Sequence, residues 1–135
     1  MKVLSLGFAL VAFTFLAQPA VARDDPLRNP ADIPIPWNKA DPPALETLQR
    51  AIISGCTVRG WVCKAEAPGV VRAVLMVRKH RAESRITFDT QKYSVTYVDS
   101  SELRYDPVKD EIHRKYNLWI ANLIGDINRS IASIP

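Results

Sequence analysis

A chain of 135 residues, 47% hydrophobic and 24% charged, is long enough for one packed core and too short for two. Eighteen basic residues against fourteen acidic ones leave a formal charge of +4, too small a surplus to indicate a nucleic-acid partner. Composition also excludes a disordered acidic tail, a collagen-like repeat and a cysteine-dense scaffold, the last because there are two cysteines.

Met1-Lys2 is a short positive start, and Val3 to Leu16 is a nearly unbroken apolar run. Pro19 ends it, Ala20-Val21-Ala22 supplies the small-x-small pattern of a signal-peptidase site, and the charged Arg23-Asp24-Asp25 follows. The run is shorter than the roughly 18 residues that a membrane anchor needs. Residues 1–22 therefore read as a cleavable secretory signal, with mature protein beginning at Arg23 in the periplasm or the medium. Cleavage leaves seventeen basic against fourteen acidic side chains, a balance of +3. No cysteine lies near the cut to carry a lipid, and no second long apolar run follows, so no membrane span is expected after cleavage.

Export gives the cysteines their meaning. Cys56 and Cys63 have six residues between them, in a compartment where disulfides persist. The spacing is not C-x-x-C and no histidine cluster accompanies it, which argues against redox catalysis and zinc. A structural disulfide is expected, with two buried free thiols as the alternative.

Residues 23–43 carry six prolines, which predict an extended, irregular leader docked through Ile33, Ile35 and Trp37. Asp41-Pro42-Pro43 then opens a helix in which Leu45, Leu48, Ile52 and Cys56 recur at helical spacing. After Gly60 the pattern changes to alternation. Strands are expected over 60–66, 70–79, 84–89 and 93–99, with Trp61, Cys63, Ala65, Val71, Ala73, Leu75, Val77, Ile86, Phe88, Tyr93, Val95 and Tyr97 facing inward. Asp106-Pro107 resembles a helix start, and Ile112, Tyr116, Trp119, Leu123, Ile127 and Ile131 predict a helix of about 25 residues, about 37 Å long. Residues 44–135 thus read as a single α+β domain: helix, four-stranded antiparallel meander, long C-terminal helix, both helices on one sheet face. On this pattern Trp119→Ala is expected to cost about 3–5 kcal/mol and His113→Ala about 1–3 kcal/mol.

Several segments together, Arg59-Gly60-Trp61, Pro68-Gly69, Tyr93-Ser94-Val95-Thr96-Tyr97, Asp99-Ser100, Leu103-Arg104-Tyr105 and Ile112-His113-x-x-Tyr116-Asn117-x-Trp119, resemble a group of small exported bacterial proteins, periplasmic or lipoprotein-like and uncharacterised. The resemblance covers about residues 44–131 and implies a bacterial envelope setting and the same fold, without an activity. This chain differs from the lipid-anchored members in having no cysteine at the cleavage site.

Catalytic templates find little to use. The four glycines after residue 22 form no phosphate-cradling loop, and neither G-x-S-x-G nor H-E-x-x-H occurs. No cofactor, no metal ligand set and no catalytic residue is expected. Candidate binding residues are the basic hairpin Arg78, Lys79, Arg81 and Arg85, and the pair His113 and Asn117, one turn apart. A nearby serine, Ser100 or Ser101, would complete a polar pocket with that pair; a structural role for His113 is hydrogen bonding to the loop at 99–105. Val62, Val74, Met76 and Val98 are expected on the outer sheet face as an apolar interface. The functional expectation is a non-enzymatic periplasmic or secreted domain binding a protein or envelope component, a homodimer being one form of that contact. The alternative is a small-ligand or envelope-lipid binder using the hairpin.

Overall fold

The computed structural model describes residues 23–135 and Val3, so the expected signal, apart from Val3, lies outside the described residues. Where the sequence alternates, the chain forms β3 (Val62–Ala67), β4 (Val70–Val77), β5 (His80–Phe88) and β6 (Lys92–Ser101), joined as an antiparallel meander. Gly69 makes the first turn possible. Its φ is +74°, and a Cβ there would stand 2.7 Å from the Phe88 carbonyl oxygen. Val71, Ala73 and Leu75 of β4, Ala82, Ser84, Ile86 and Phe88 of β5, and Tyr93 and Val95 of β6 are buried on the inner face.

The proline-rich leader is more than a tether. It contributes β1 (Asp24–Pro26) and β2 (Ile33–Pro34), and β2 pairs with β6 to make a fifth strand, giving the order β2-β6-β5-β4-β3. Ile35 is buried, and Ile33 and Trp37 pack against the core, as the sequence suggested. Pro34 is tolerated because β2 is an edge strand.

The first helix, α1 (Leu45–Thr57), buries Leu48, Ala51, Ile52, Gly55 and Cys56. Cys56 is disulfide-bonded to Cys63, with Cα atoms 6.2 Å apart, so the end of α1 is stapled to β3. A crosslink over so short a loop contributes about 2 kcal/mol.

The C-terminal helix begins later than expected. Asp106-Pro107 starts a turn, closed by backbone bonds in both directions between Asp106 and Glu111, and the chain then forms β7 (Glu111–His113), which pairs with β1. The helix proper, α2 (Arg114–Ala132), has 19 residues and is about 28 Å long. Its buried stripe is Tyr116, Ile120, Leu123, Asp126, Ile127 and Ile131. Ile112 belongs to the strand, and Trp119 lies beside the stripe, half-buried in a groove with Arg59, Trp61, Leu75 and Val77. Both helices cover the inner sheet face and pack on each other, where Ser130 Oγ donates to the Ala51 carbonyl at 2.6 Å. The carboxylate of Asp126, buried at this contact, is met by Arg59 at 2.9 Å and by Arg129.

Candidate functional site

The hairpin cations are dispersed rather than gathered. Arg78 occupies the β4–β5 turn with φ +55°. Lys79 lies 3.9 Å from Glu102, Arg81 lies 2.6 Å from Glu83 and 3.3 Å from Asp99, and Arg85 lies 3.5 Å from Glu66. Arg81 and Arg85 belong to the outer face of β5, not to the hairpin tip. Glu83 is buried there between Arg72 and Arg81, whose guanidinium groups hold its carboxyl below the ordinary glutamate range.

Next to this charge row the outer face turns apolar. Val62 of β3 is in register with Val74 of β4, and Met76 follows on the same face of β4. Val62 is 60% exposed and Met76 61%. The leader runs along the β6 edge and does not cover them. Val98 does not join this strip. A register shift in β6 leaves it between Tyr97, opposite Ser84, and Asp99, opposite Glu83, with β5 separating it from β4.

His113 and Asn117 hold backbone. His113 Nδ1 accepts from the Lys115 N–H at 3.1 Å, capping α2, and its own N–H donates to the Leu103 carbonyl. The imidazole that reaches the 99–105 loop is instead that of His80, bonded through Nδ1 to the Glu102 carbonyl at 2.7 Å. Asn117 clamps the leader, donating to the Pro26 carbonyl at 2.9 Å and accepting from the Arg28 N–H at 3.2 Å. The serines go elsewhere: Ser100 Oγ bonds Tyr97 at 2.8 Å, and Ser101 pairs opposite Arg81.

Under the sheet, Ser84 Oγ and Tyr116 Oη share a fully buried hydrogen bond of 2.9 Å. Burial pushes the Tyr116 phenol up to about 12. The fold therefore retains a proton that the unfolded chain releases near pH 10, so this contribution is complete below pH 10 and is lost as pH rises toward 12. Melts at about pH 9 and about pH 11.5 should show the parent losing roughly 1.4 kcal/mol per pH unit from this group across the window. Burial raises the Tyr93 phenol as well, so Tyr116→Phe should reduce the slope between about pH 10 and about pH 11.5 by this group's share without abolishing it; an unchanged slope would contradict the assignment.

One grouping escaped the sequence. Between the leader and the first turns of α2 lies a cleft of about 620 Å³, lined by Arg23, Asp25, Arg28, Arg114 and Lys115 together with His113 and Asn117. The cations come from two segments far apart in the chain, so no local motif unites them. Among the described residues no cluster of three or more His, Cys, Asp or Glu side chains could hold a metal ion.

The chain matches no family model, no curated protein and no solved structure.

Proposed function

We propose that this chain is a non-catalytic domain of the bacterial envelope, exported to the periplasm or the medium, that binds a protein or envelope component through the outer face of its sheet. The observation that carries the reading is the apolar strip Val62, Val74 and Met76, with Val62 and Met76 exposed and Val74 partly so, beside the edge strand β3. Such a strip, reaching from β4 onto an edge strand, gains from being covered. Around it, the polar side chains that would otherwise suggest chemistry hold the fold: His113 caps, Asn117 clamps, Ser84 bonds Tyr116 and Glu83 is gripped by two arginines. A ligand site at residues 78–85 has less support, since Lys79, Arg81 and Arg85 each face an acid.

The envelope setting rests on the signal pattern of residues 1–22, the disulfide, and the resemblance to small exported bacterial proteins. Among the described residues no helix is long and apolar enough to cross a membrane. Protein recovered from the envelope without reductant should have the mass of residues 23–135 less the two hydrogens lost in forming the disulfide. An uncleaved N-terminus or two free thiols would contradict it. Binding is tested by crosslinking in intact cells, comparing the parent with a Val62→Asp, Met76→Asp double variant. Both side chains are exposed, so the variant should fold and export normally while losing the parent's adduct. An unchanged adduct would overturn the outer-face reading.

A further inference from the structure

The cleft between the leader and α2 gathers four cations, Arg23, Arg28, Arg114 and Lys115, against the single carboxylate of Asp25. None of the four has an acidic partner within ion-pair distance among the described residues, whereas Arg59, Arg72, Arg81, Arg85, Arg104 and Arg129 all do. Even Asp24, next to the cleft residues in sequence, is taken by Arg104 at 2.6 Å.

The backbone beneath these charges is fixed. The Arg114 N–H donates to the Arg23 carbonyl at 3.0 Å, the Asn117 side chain holds the peptide groups on both sides of Leu27, and the Leu27 N–H donates to the Asp110 carbonyl at 2.8 Å. Like charges are thus brought together by contacts that involve none of their side chains, and their mutual repulsion is left for something else to relieve. At the cleft wall, burial lowers the pKa of His113, and the charges of Arg104 and Lys115 lower it further. Asn117 and His113 are occupied by backbone, so a ligand would be met by guanidinium and ammonium groups, beside the exposed Leu118.

We propose that this cleft binds a phosphate group. Guanidinium forks match phosphate oxygens in pairs, and three of them with a lysine suit a dianion better than a single carboxylate. The phosphate could belong to a lipid headgroup or to a free phosphorylated compound, and the two sources share this chemistry. The site is separate from the outer sheet face and does not depend on it.

The test titrates the purified mature protein, residues 23–135, with pyrophosphate by calorimetry, and in parallel floats it with vesicles of phosphatidylglycerol, with phosphatidylcholine vesicles as the neutral control. Arg28→Ala with Arg114→Ala should weaken binding at least about tenfold, these being charge-assisted contacts. A charge-matched pair elsewhere, Arg50→Ala with Lys64→Ala, should change it by no more than about twofold, as expected of screened, distant charges. A thermal melt accompanies each variant, and Arg28→Gln with Arg114→Gln replaces the alanine pair should that pair fail to fold. Binding to pyrophosphate alone identifies a soluble phosphate compound; binding to phosphatidylglycerol alone identifies a headgroup. Equal losses in the cleft and control pairs, or a parent that binds neither probe, would overturn the proposal.

Discussion

Leu123→Ala is expected to cost about 2–5 kcal/mol, a large part of the stability of a domain this size, whereas Trp119→Ala should cost clearly less. Leu123 is fully buried in the middle of the α2 stripe, where the helix presses on the inner sheet face. Truncation there loses the transfer energy of the removed carbons and leaves a cavity that the rigid sheet cannot fill. Trp119 is larger but only half-buried. It lines a groove with Trp61, Leu75 and Val77 and stands 6.4 Å from the His80 ring, so its removal exposes surface to water without hollowing the core. Urea melts of the two variants, read as midpoints at constant m, decide the order. A Trp119→Ala loss equal to or above that of Leu123→Ala would mean that α2 docks with a different face.

Substitution at Gly55 should be as damaging for the opposite reason. A Cβ at this position would lie 2.8 Å from the Ile127 Cα and 3.0 Å from the Asp126 carbonyl oxygen, so the obstacle is the backbone of α2 and no side-chain rotation removes it. For Gly55→Ala, overpacking of about 1–3 kcal/mol is offset by about 1 kcal/mol of helix propensity. For Gly55→Leu no offset suffices. The helices would have to separate, breaking the Ser130 bond to Ala51 and the Arg59–Asp126 pair, and the protein should not fold. Gly125→Ala is the matching control, because nothing lies within 4 Å of its added Cβ, and it should stabilise the fold by up to about 1 kcal/mol. If thermal melts show Gly55→Leu behaving like the parent, the close crossing of α1 and α2 is wrong.

The sequence carried the meander, the disulfide pair and the leader's apolar contacts, because each rests on local alternation, on a unique cysteine pair or on a few large side chains among prolines. It misplaced the start of α2 for a physical reason. Asp106 does cap successive N–H groups, with Oδ1 accepting from Val108 at 2.9 Å and from Lys109 at 3.1 Å. An aspartate before a proline makes those same bonds in a free-standing turn and at a helix start, and only the later pairing of β7 with β1 separates the two cases. Trp119 and Ile120, three and four residues after Tyr116, flank the same helix face, and spacing alone does not separate the border residue from the buried one. The fifth strand was hidden because β2 is two residues long and contains a proline. The functional residues divide the same way. Val62, Val74 and Met76 were readable as one alternating face, but Val98 was moved by a register shift that no pattern announces. The cationic cleft depends on where the leader is tied down, through Asn117 and β7, and that is a tertiary fact.

The most direct measurement of the proposed binding role places a photo-crosslinking side chain at one position at a time in intact cells: at Val62, Val74 and Met76 on the outer face, at Val98 beyond the charge row, and at Val108, which is 92% exposed in the Asp106 turn. The account predicts one adduct of constant mass from Val62, Val74 and Met76, and none from Val108. An adduct at the mass of two chains would identify the partner as a second copy. Equal labelling at all five positions, or no adduct from the three outer-face positions in correctly exported protein, would contradict the proposal that this face is a binding surface.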